Sequence, residues 1–164
     1  MQITHLLSQE HQVVLEQLQA LEAALDRFDP GQVAATLRFF DEQVTLHRRK
    51  EEEVLFPALA RYIGTEMGPI AVMLHEHREE QARLEEIRVA LDAGDTPEAR
   101  GTLRRAGRQI LDLLRNHIAK EDNVLFPLAE RTLSAEEKME AQEGMDAIGY
   151  CVPTPPPVEA TAQG

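Results

Sequence analysis

Apolar residues recur every three or four positions through four long stretches of this chain, roughly residues 4–28, 32–63, 68–93 and 97–131. That period places them on one face of a helix. The first stripe runs Leu7, Val14, Leu15, Leu18, Leu21 and Leu25, and the second includes Phe40, Val44, Val54, Leu55 and Ala58. The third carries Ile70, Met73, Leu74, Leu84 and Leu91, and the fourth Leu103, Ile110, Leu113, Leu114, Val124, Leu125 and Leu128. Turn formers separate them: Asp29-Pro30-Gly31, then Gly64, Gly68 and Pro69, then Gly94-Asp95-Thr96-Pro97. In the last of these a capping residue precedes proline at the first helical position. Ser134-Ala135-Glu136-Glu137 has the capping-box pattern and starts a short fifth helix. Strand-like alternation is absent. Long helices joined by short connections predict an all-α fold, an up-down-up-down antiparallel four-helix bundle. The expected organisation is a bundle over residues 1–133, a short extra helix over 134–150, and a mobile Pro-rich tail over 151–164 (CVPTPPPVEATAQG).

Polar residues interrupt the stripes. His11 lies three residues before Val14 and four before Leu15, so it faces inward with them. His47 follows Val44 by three, and Glu51 follows His47 by four, one turn further on the same face. His117 and Glu121 stand in the same relation to Leu114, and His77 follows Met73 by four. Each long helix therefore turns one histidine inward, and the second and fourth add a glutamate. The second and fourth also share a phrase. Residues 47–61 and 117–131, offset by 117 − 47 = 70 positions, agree at eight of fifteen positions, including His, Lys and Glu as well as Val-Leu-Phe-Pro. Helical period alone explains the repeated apolar residues but not the repeated histidine and glutamate. Pro57 and Pro127 each lack an amide donor and press on the carbonyls of Glu53 and Asn123, so each is expected to kink or end its helix.

A lone inward histidine is ordinarily a hydrogen-bonded core residue. Six polar groups in one core are another matter, because an ionised carboxylate buried without a partner costs several kcal/mol or shifts its pKa. The pattern supplies no inward lysine or arginine as counter-charge. A bound cation satisfies all six together, which makes His11, His47, Glu51, His77, His117 and Glu121 the candidate metal ligands. Four imidazoles and two carboxylates over-fill a tetrahedral zinc site. Two ions, each with two histidines and sharing two bridging glutamates, use every ligand. Nitrogen and oxygen ligation without thiolate suits non-haem iron, ahead of manganese or zinc.

Charge and composition narrow the partners. A formal net charge of −12 argues against nucleic acid and anionic membrane surfaces, both of which call for a basic patch. No apolar run approaches the length of about 18 residues that spans a bilayer. The opening MQITHLLSQEH has neither a basic n-region nor an extended apolar h-region, so no secretory signal is expected. The sole cysteine, Cys151, rules out an intramolecular disulfide and fits a reducing cytoplasm.

The ordered set SQEHQ (His11), HRRKE (His47, Glu51), HEHRE (His77) and HIAKE (His117, Glu121), with LFP after each HxxxE, resembles the haemerythrin-like, or HHE cation-binding, family over roughly residues 4–131. The resemblance implies a bundle around an oxo-bridged non-haem di-iron centre. Oxygen-carrying haemerythrins have a His-x-x-x-His pair on the third helix, and the earlier of those positions here is Met73. They end with His-x-x-x-x-Asp, which His117 and Asp122 satisfy formally. Glu121 is the preferred ligand because it repeats Glu51 and lies about 40° from His117 around the helix, against about 140° for Asp122. A missing fifth histidine leaves room for an exogenous ligand such as dioxygen, nitric oxide or peroxide. The four-histidine, two-glutamate set is also similar to that of bacterial proteins that repair nitrosatively damaged iron–sulfur centres. Those usually add an N-terminal cysteine-bearing segment, and none stands ahead of the first helix in this sequence.

Of the other residues, His75 is expected to face solvent, with replacement of His77 or an outer-ligand role as the alternative. Glu10 and Glu76, each just before a candidate ligand histidine, are expected on solvated faces, with a supporting role behind the ligands as the alternative. Glu52 and Asp122 either orient ligands or face water. Met73, Phe56, Phe126, Leu55 and Leu125 are expected to wall the site. Three functions compete. The first is binding or sensing of a small diatomic ligand or peroxide, with an unidentified protein partner or a homodimer for output. The second is an enzyme that reduces peroxide or nitric oxide or delivers iron. The third is a bundle held together by a structural metal, which predicts zinc and no optical change with oxidants.

Overall fold

The computed structural model describes residues 1–151. Four antiparallel rods form the bundle. The first is α1 (His5–Arg27). The second is continuous from α2 (Pro30–Phe39) through α3 (Thr45–Lys50) to α4 (Phe56–Ile63). The third is α5 (Pro69–Asp92), and the fourth joins α6 (Pro97–Lys120) to α7 (Phe126–Thr132). A further helix, α8 (Ala135–Ile148), is the last among the described residues. The punctuation read from sequence does its work. Asp29 accepts the Gln32 amide, Thr96 accepts the Ala99 amide, and Ser134 with Glu137 closes a reciprocal capping box.

Of the kink or end expected at each proline, the end does not occur: both rods run on through Pro57 and Pro127. Instead a wide turn forms just before each one, over Glu51–Leu55 and Glu121–Leu125, where the amides of Phe56 and Phe126 reach back five residues to the carbonyls of Glu51 and Glu121. Widening relieves the proline ring against the carbonyl four residues back, and single π-turns of this kind recur at functional sites. A third wide turn, Phe40–Val44, lies earlier in the second rod. Each inserted residue rotates the remainder of its rod by about 100°. Within the fourth rod's wide turn Leu125 stays buried, but Val124, expected inward, is 54% exposed.

Two apolar clusters fill the bundle, one on each side of a polar layer. One gathers Val14, Leu18, Val44, Leu84, Ile110 and Leu114 among others. The other holds Leu7, Leu55, Phe56, Met73, Leu125 and Phe126, and it extends to Ala141 and Met145 of α8. Helix α8 lies along α3 and the Glu51–Leu55 turn. It comes so close that a methyl on Gly144 would stand 3.2 Å from the Val54 methyls. Cys151, placed by sequence in a mobile tail, is buried against the first cluster. The rest of that expected tail lies outside the described residues.

Candidate metal centre

Between the two apolar clusters the rods bring His11, His47, Glu51, His77, His117 and Glu121 together, all of them buried. They form two overlapping sets. Ligand atoms of His11, His47, Glu51 and Glu121 lie within 4.8 Å of one another, and so do those of Glu51, His77, His117 and Glu121. Both glutamates belong to both sets. Glu51 shows how: Oε1 is 2.9 Å from His47 Nε2, and Oε2 is 3.1 Å from His77 Nε2. Glu121 Oε1 likewise meets His117 Nε2. The HxxxE spacing sets this up, since residues four apart share a helix face, and the wide turn begins at each glutamate.

The inner atoms lack hydrogen-bond partners. Both oxygens of Glu51 and of Glu121, together with Nε2 of His11 and of His47, are buried without a partner of hydrogen-bond geometry. Buried polar atoms are nearly always satisfied. A cluster of orphaned nitrogen and carboxylate donors converging on two points fits metal ions.

Outside this ring stands a second one, which the sequence pattern largely conceals. His11 Nδ1 is 2.8 Å from Asp122, His77 Nδ1 is 2.9 Å from Glu52, and His117 Nδ1 is 3.1 Å from Glu76. Glu10 Oε1 lies 3.5 Å from His47 Nδ1. Nδ1 of His11, His77 and His117 thus bonds a carboxylate and that of His47 lies near one, an arrangement that fixes ring orientation and would raise the basicity of each Nε2 toward a metal. Glu10 and Glu76, expected in solvent, are buried because each reaches across to a histidine on a neighbouring rod. The expected absence of inward cations is also corrected. Lys50 is fully buried and bonds Glu10, whereas its counterpart Lys120 bonds Glu76 from a side chain that is nearly half exposed. The repeated lysine of HxxKE and the repeated Glu-His of Glu10-His11 and Glu76-His77 were the available signals.

Burial and neighbouring charges pull the groups of this layer in opposite directions. Burial works against charge on Glu51, but the His47 charge beside it holds its carboxyl well below the usual range. Burial, then the Glu51 charge, pushes Glu121 well above its usual range. Burial also opposes charge on His47, yet Glu51 and Glu10 hold it up to about 10. Burial takes His117 down to about 4. Charge is thus favoured on Glu51 and His47 and disfavoured on Glu121 and His117, and binding of a cation would require its ligands in their deprotonated forms.

His11 stacks on Phe126 and His77 on Phe56, at ring-centroid distances of 5.3 and 5.9 Å. Met73 is buried with these phenylalanines, so the position of a fifth histidine is part of an apolar wall. On the other side, Val14, Val44, Leu114 and Ile118 with Arg48 and Glu80 close a cavity against His11, His47, His77 and His117. It leaves about 20 Å³ for the centre of a water-sized molecule, enough for one. His75 points to solvent beside Glu79.

Residues 2–129 match the hemerythrin HHE cation binding domain. The chain belongs to this family. Curated relatives of this hemerythrin-like chain include the "Iron-sulfur cluster repair protein YtfE" of Cronobacter sakazakii (strain ATCC BAA-894), 38% identical over 105 residues that cover 61% of this chain and 48% of the relative. The protein of the same name from Enterobacter sp. (strain 638) is 36% identical, and that from Escherichia coli O139:H28 is 35% identical, with the same coverage. The chain spans about half the length of these relatives. It is thus a hemerythrin-like metal-binding domain, and among its described residues no helix is long and apolar enough to cross a membrane.

Proposed function

We propose that this domain holds two iron ions between His11, His47, Glu51, His77, His117 and Glu121, and takes up a small ligand (nitric oxide, dioxygen or peroxide) beside them. The observation that carries this reading is the sharing of Glu51 and Glu121 between two complete four-ligand sets. Manganese is the next occupant by ligand chemistry, and zinc the third. When bound, two non-haem irons supply one-electron chemistry and open positions for a diatomic ligand. The chain's own residues do the rest. His11, His47, His77 and His117 are oriented by their outer carboxylates, Val14, Val44, Leu114 and Ile118 restrict water, and Glu80 with Arg48 puts a polar edge on the cavity.

A second reading, in which the centre delivers iron for iron–sulfur repair, is favoured by the relatives' name and by their 35–38% identity. The buried free Cys151 fits a reducing compartment, which we take to be the cytoplasm. Metal analysis with an optical spectrum of iron-loaded protein, before and after nitric oxide or dioxygen, tests the first reading. About two irons per chain and new charge-transfer bands are expected. One zinc per chain, or a spectrum indifferent to oxidants, refutes it in favour of a structural metal. Iron transfer to an apo iron–sulfur protein, with recovery of that protein's cluster absorbance as the readout, tests the second.

A further inference from the structure

The repeat makes the two halves of the centre near-copies, yet the chain closes only one of them. On the His47 side, Glu10 receives the Lys50 ammonium and the backbone N–H of Cys151. Lys50 is fully buried, and the Tyr150 ring lies over its Nζ at 4.5 Å. On the His117 side, Glu76 receives only Lys120 besides His117 among the described residues, and the Lys120 side chain is 46% exposed. One turn beyond each lysine the contrast recurs. Val54 lies beneath α8 at Gly144, whereas its counterpart Val124 is open to solvent. The outer carboxylates differ too. Asp122, behind His11, is also held by Ser8 Oγ at 2.8 Å, while Glu52, behind His77, is 37% exposed and takes no second hydrogen bond among the described residues.

Release of an ion from such a site would need an imidazole to swing away, and the carboxylate on its Nδ1 would have to move with it. Glu10 cannot follow His47 without breaking a buried ion pair and a backbone hydrogen bond. Glu76 is tied to Lys120, which already reaches water, and Glu52 reaches water itself. We propose that the two ion positions are kinetically unequal: the ion between His77 and His117 is the exchangeable one, and α8 with Tyr150 and Cys151 locks the ion between His11 and His47. This rests on the di-iron reading. It gives the iron-delivery form of that reading a direction, since an acceptor with competing thiolates would draw iron from the open half and leave the locked ion to keep the bundle assembled.

The test is anaerobic mixing of the full chain, loaded with ferrous iron, with excess colour-forming ferrous chelator. Two phases of equal amplitude are expected, with rates at least about tenfold apart, the lower end of what outer-carboxylate contacts are worth to a metal site. Cys151→Pro deletes the N–H that holds Glu10, and Tyr150→Ala uncovers Lys50. Each should speed the slow phase about tenfold and leave the fast phase alone. Cys151→Ala, which keeps the N–H, should change neither phase. Lys120→Met should move the fast phase only, and it provides a readout should the strap variants fail to fold. A single phase from a chain carrying two irons overturns the inequality and spares the di-iron reading. Strap variants that speed the fast phase overturn the assignment of the lock. Fewer than two irons loaded per chain overturns the di-iron reading, and this inference with it.

Discussion

Lys50 and Lys120 occupy the same place in the two repeated phrases and bond equivalent glutamates, so replacing each by methionine isolates the effect of burial. Lys50→Met preserves most of the side-chain volume but removes the ammonium from Glu10, whose carboxylate is itself buried. Removing one partner of a buried pair costs about 3–5 kcal/mol, because the remaining charge is left without compensation. The Cys151 N–H still reaches Glu10, which argues for the lower part of that range. Lys120→Met acts on a pair whose lysine is nearly half exposed, and pairs of that kind are worth about 0–1 kcal/mol. With a urea m-value of about 2 kcal/mol/M, the metal-free Lys50 variant should unfold about 1.5–2.5 M earlier, and the Lys120 variant no more than about 0.5 M earlier. Equilibrium urea unfolding monitored by circular dichroism reads both. The double variant Lys50→Met with Glu10→Leu should recover much of the loss, since an apolar pair of similar size is often as stable as a buried ion pair. Equal shifts for the two single variants, or a double variant worse than Lys50→Met, would refute the reasoning.

The polar layer sets four other outcomes. Glu121→Gln removes a carboxyl whose ionisation burial disfavours, so the metal-free chain should keep its thermal midpoint while metal content falls below half; a full complement of metal by elemental analysis would count against a bridging role. Metal uptake should weaken as pH falls, because His47, held up to about 10, must shed a proton; one displaced proton predicts about tenfold lower affinity per pH unit in titrations between about pH 6 and 8, and a flat profile would contradict it. His117 falls from 6.5 to about 4, so the unfolded chain takes up that proton first. The metal-free fold should therefore lose stability as pH drops through this window, and His117→Gln should shrink that loss in urea melts at about pH 7 and pH 5. Met73→His places an imidazole one turn from His77; it should shift the optical spectrum of the iron-loaded protein and reduce its response to nitric oxide, and an unchanged spectrum would mean the ring stays in the apolar wall.

The helical rods, their caps and the inward histidines are legible in the sequence because each depends on residue type and local spacing. Asp29, Thr96 and Ser134 announce helix starts in any context, and His47 with Glu51 shares a face by arithmetic alone. The features that escape are set by contacts between rods. Glu10 and Glu76 sit beside ligand histidines in sequence, but each supports the histidine of a different rod. Lys50 falls off the apolar stripe, and its burial depends on α8, Tyr150 and Cys151 closing over it. Val124 misleads for a local reason, since it falls inside the wide turn before Pro127. Pro57 and Pro127 read as points of disruption, and they are, but the helix absorbs the disruption by widening.

That widening bears on how the centre is built. Wide turns begin at Glu51 and at Glu121 alone among the six inner residues, and next to each stands an outer carboxylate, Glu52 or Asp122, that crosses to a histidine of the opposite half. Consecutive residues on a regular helix diverge by about 100°, so one inner and one outer carboxylate suit adjacent positions. The two phrases therefore do more than supply a histidine and a bridge each. They tie the halves together in both directions, Asp122 to His11 and Glu52 to His77, so that the site is cross-braced before any ion enters. The lysines complete the frame from outside through Glu10 and Glu76. A bundle with this frame can hold a buried polar layer at its centre while two apolar clusters stabilise its ends, and a cation held between Glu51 and Glu121 would offset the charge that burial opposes there.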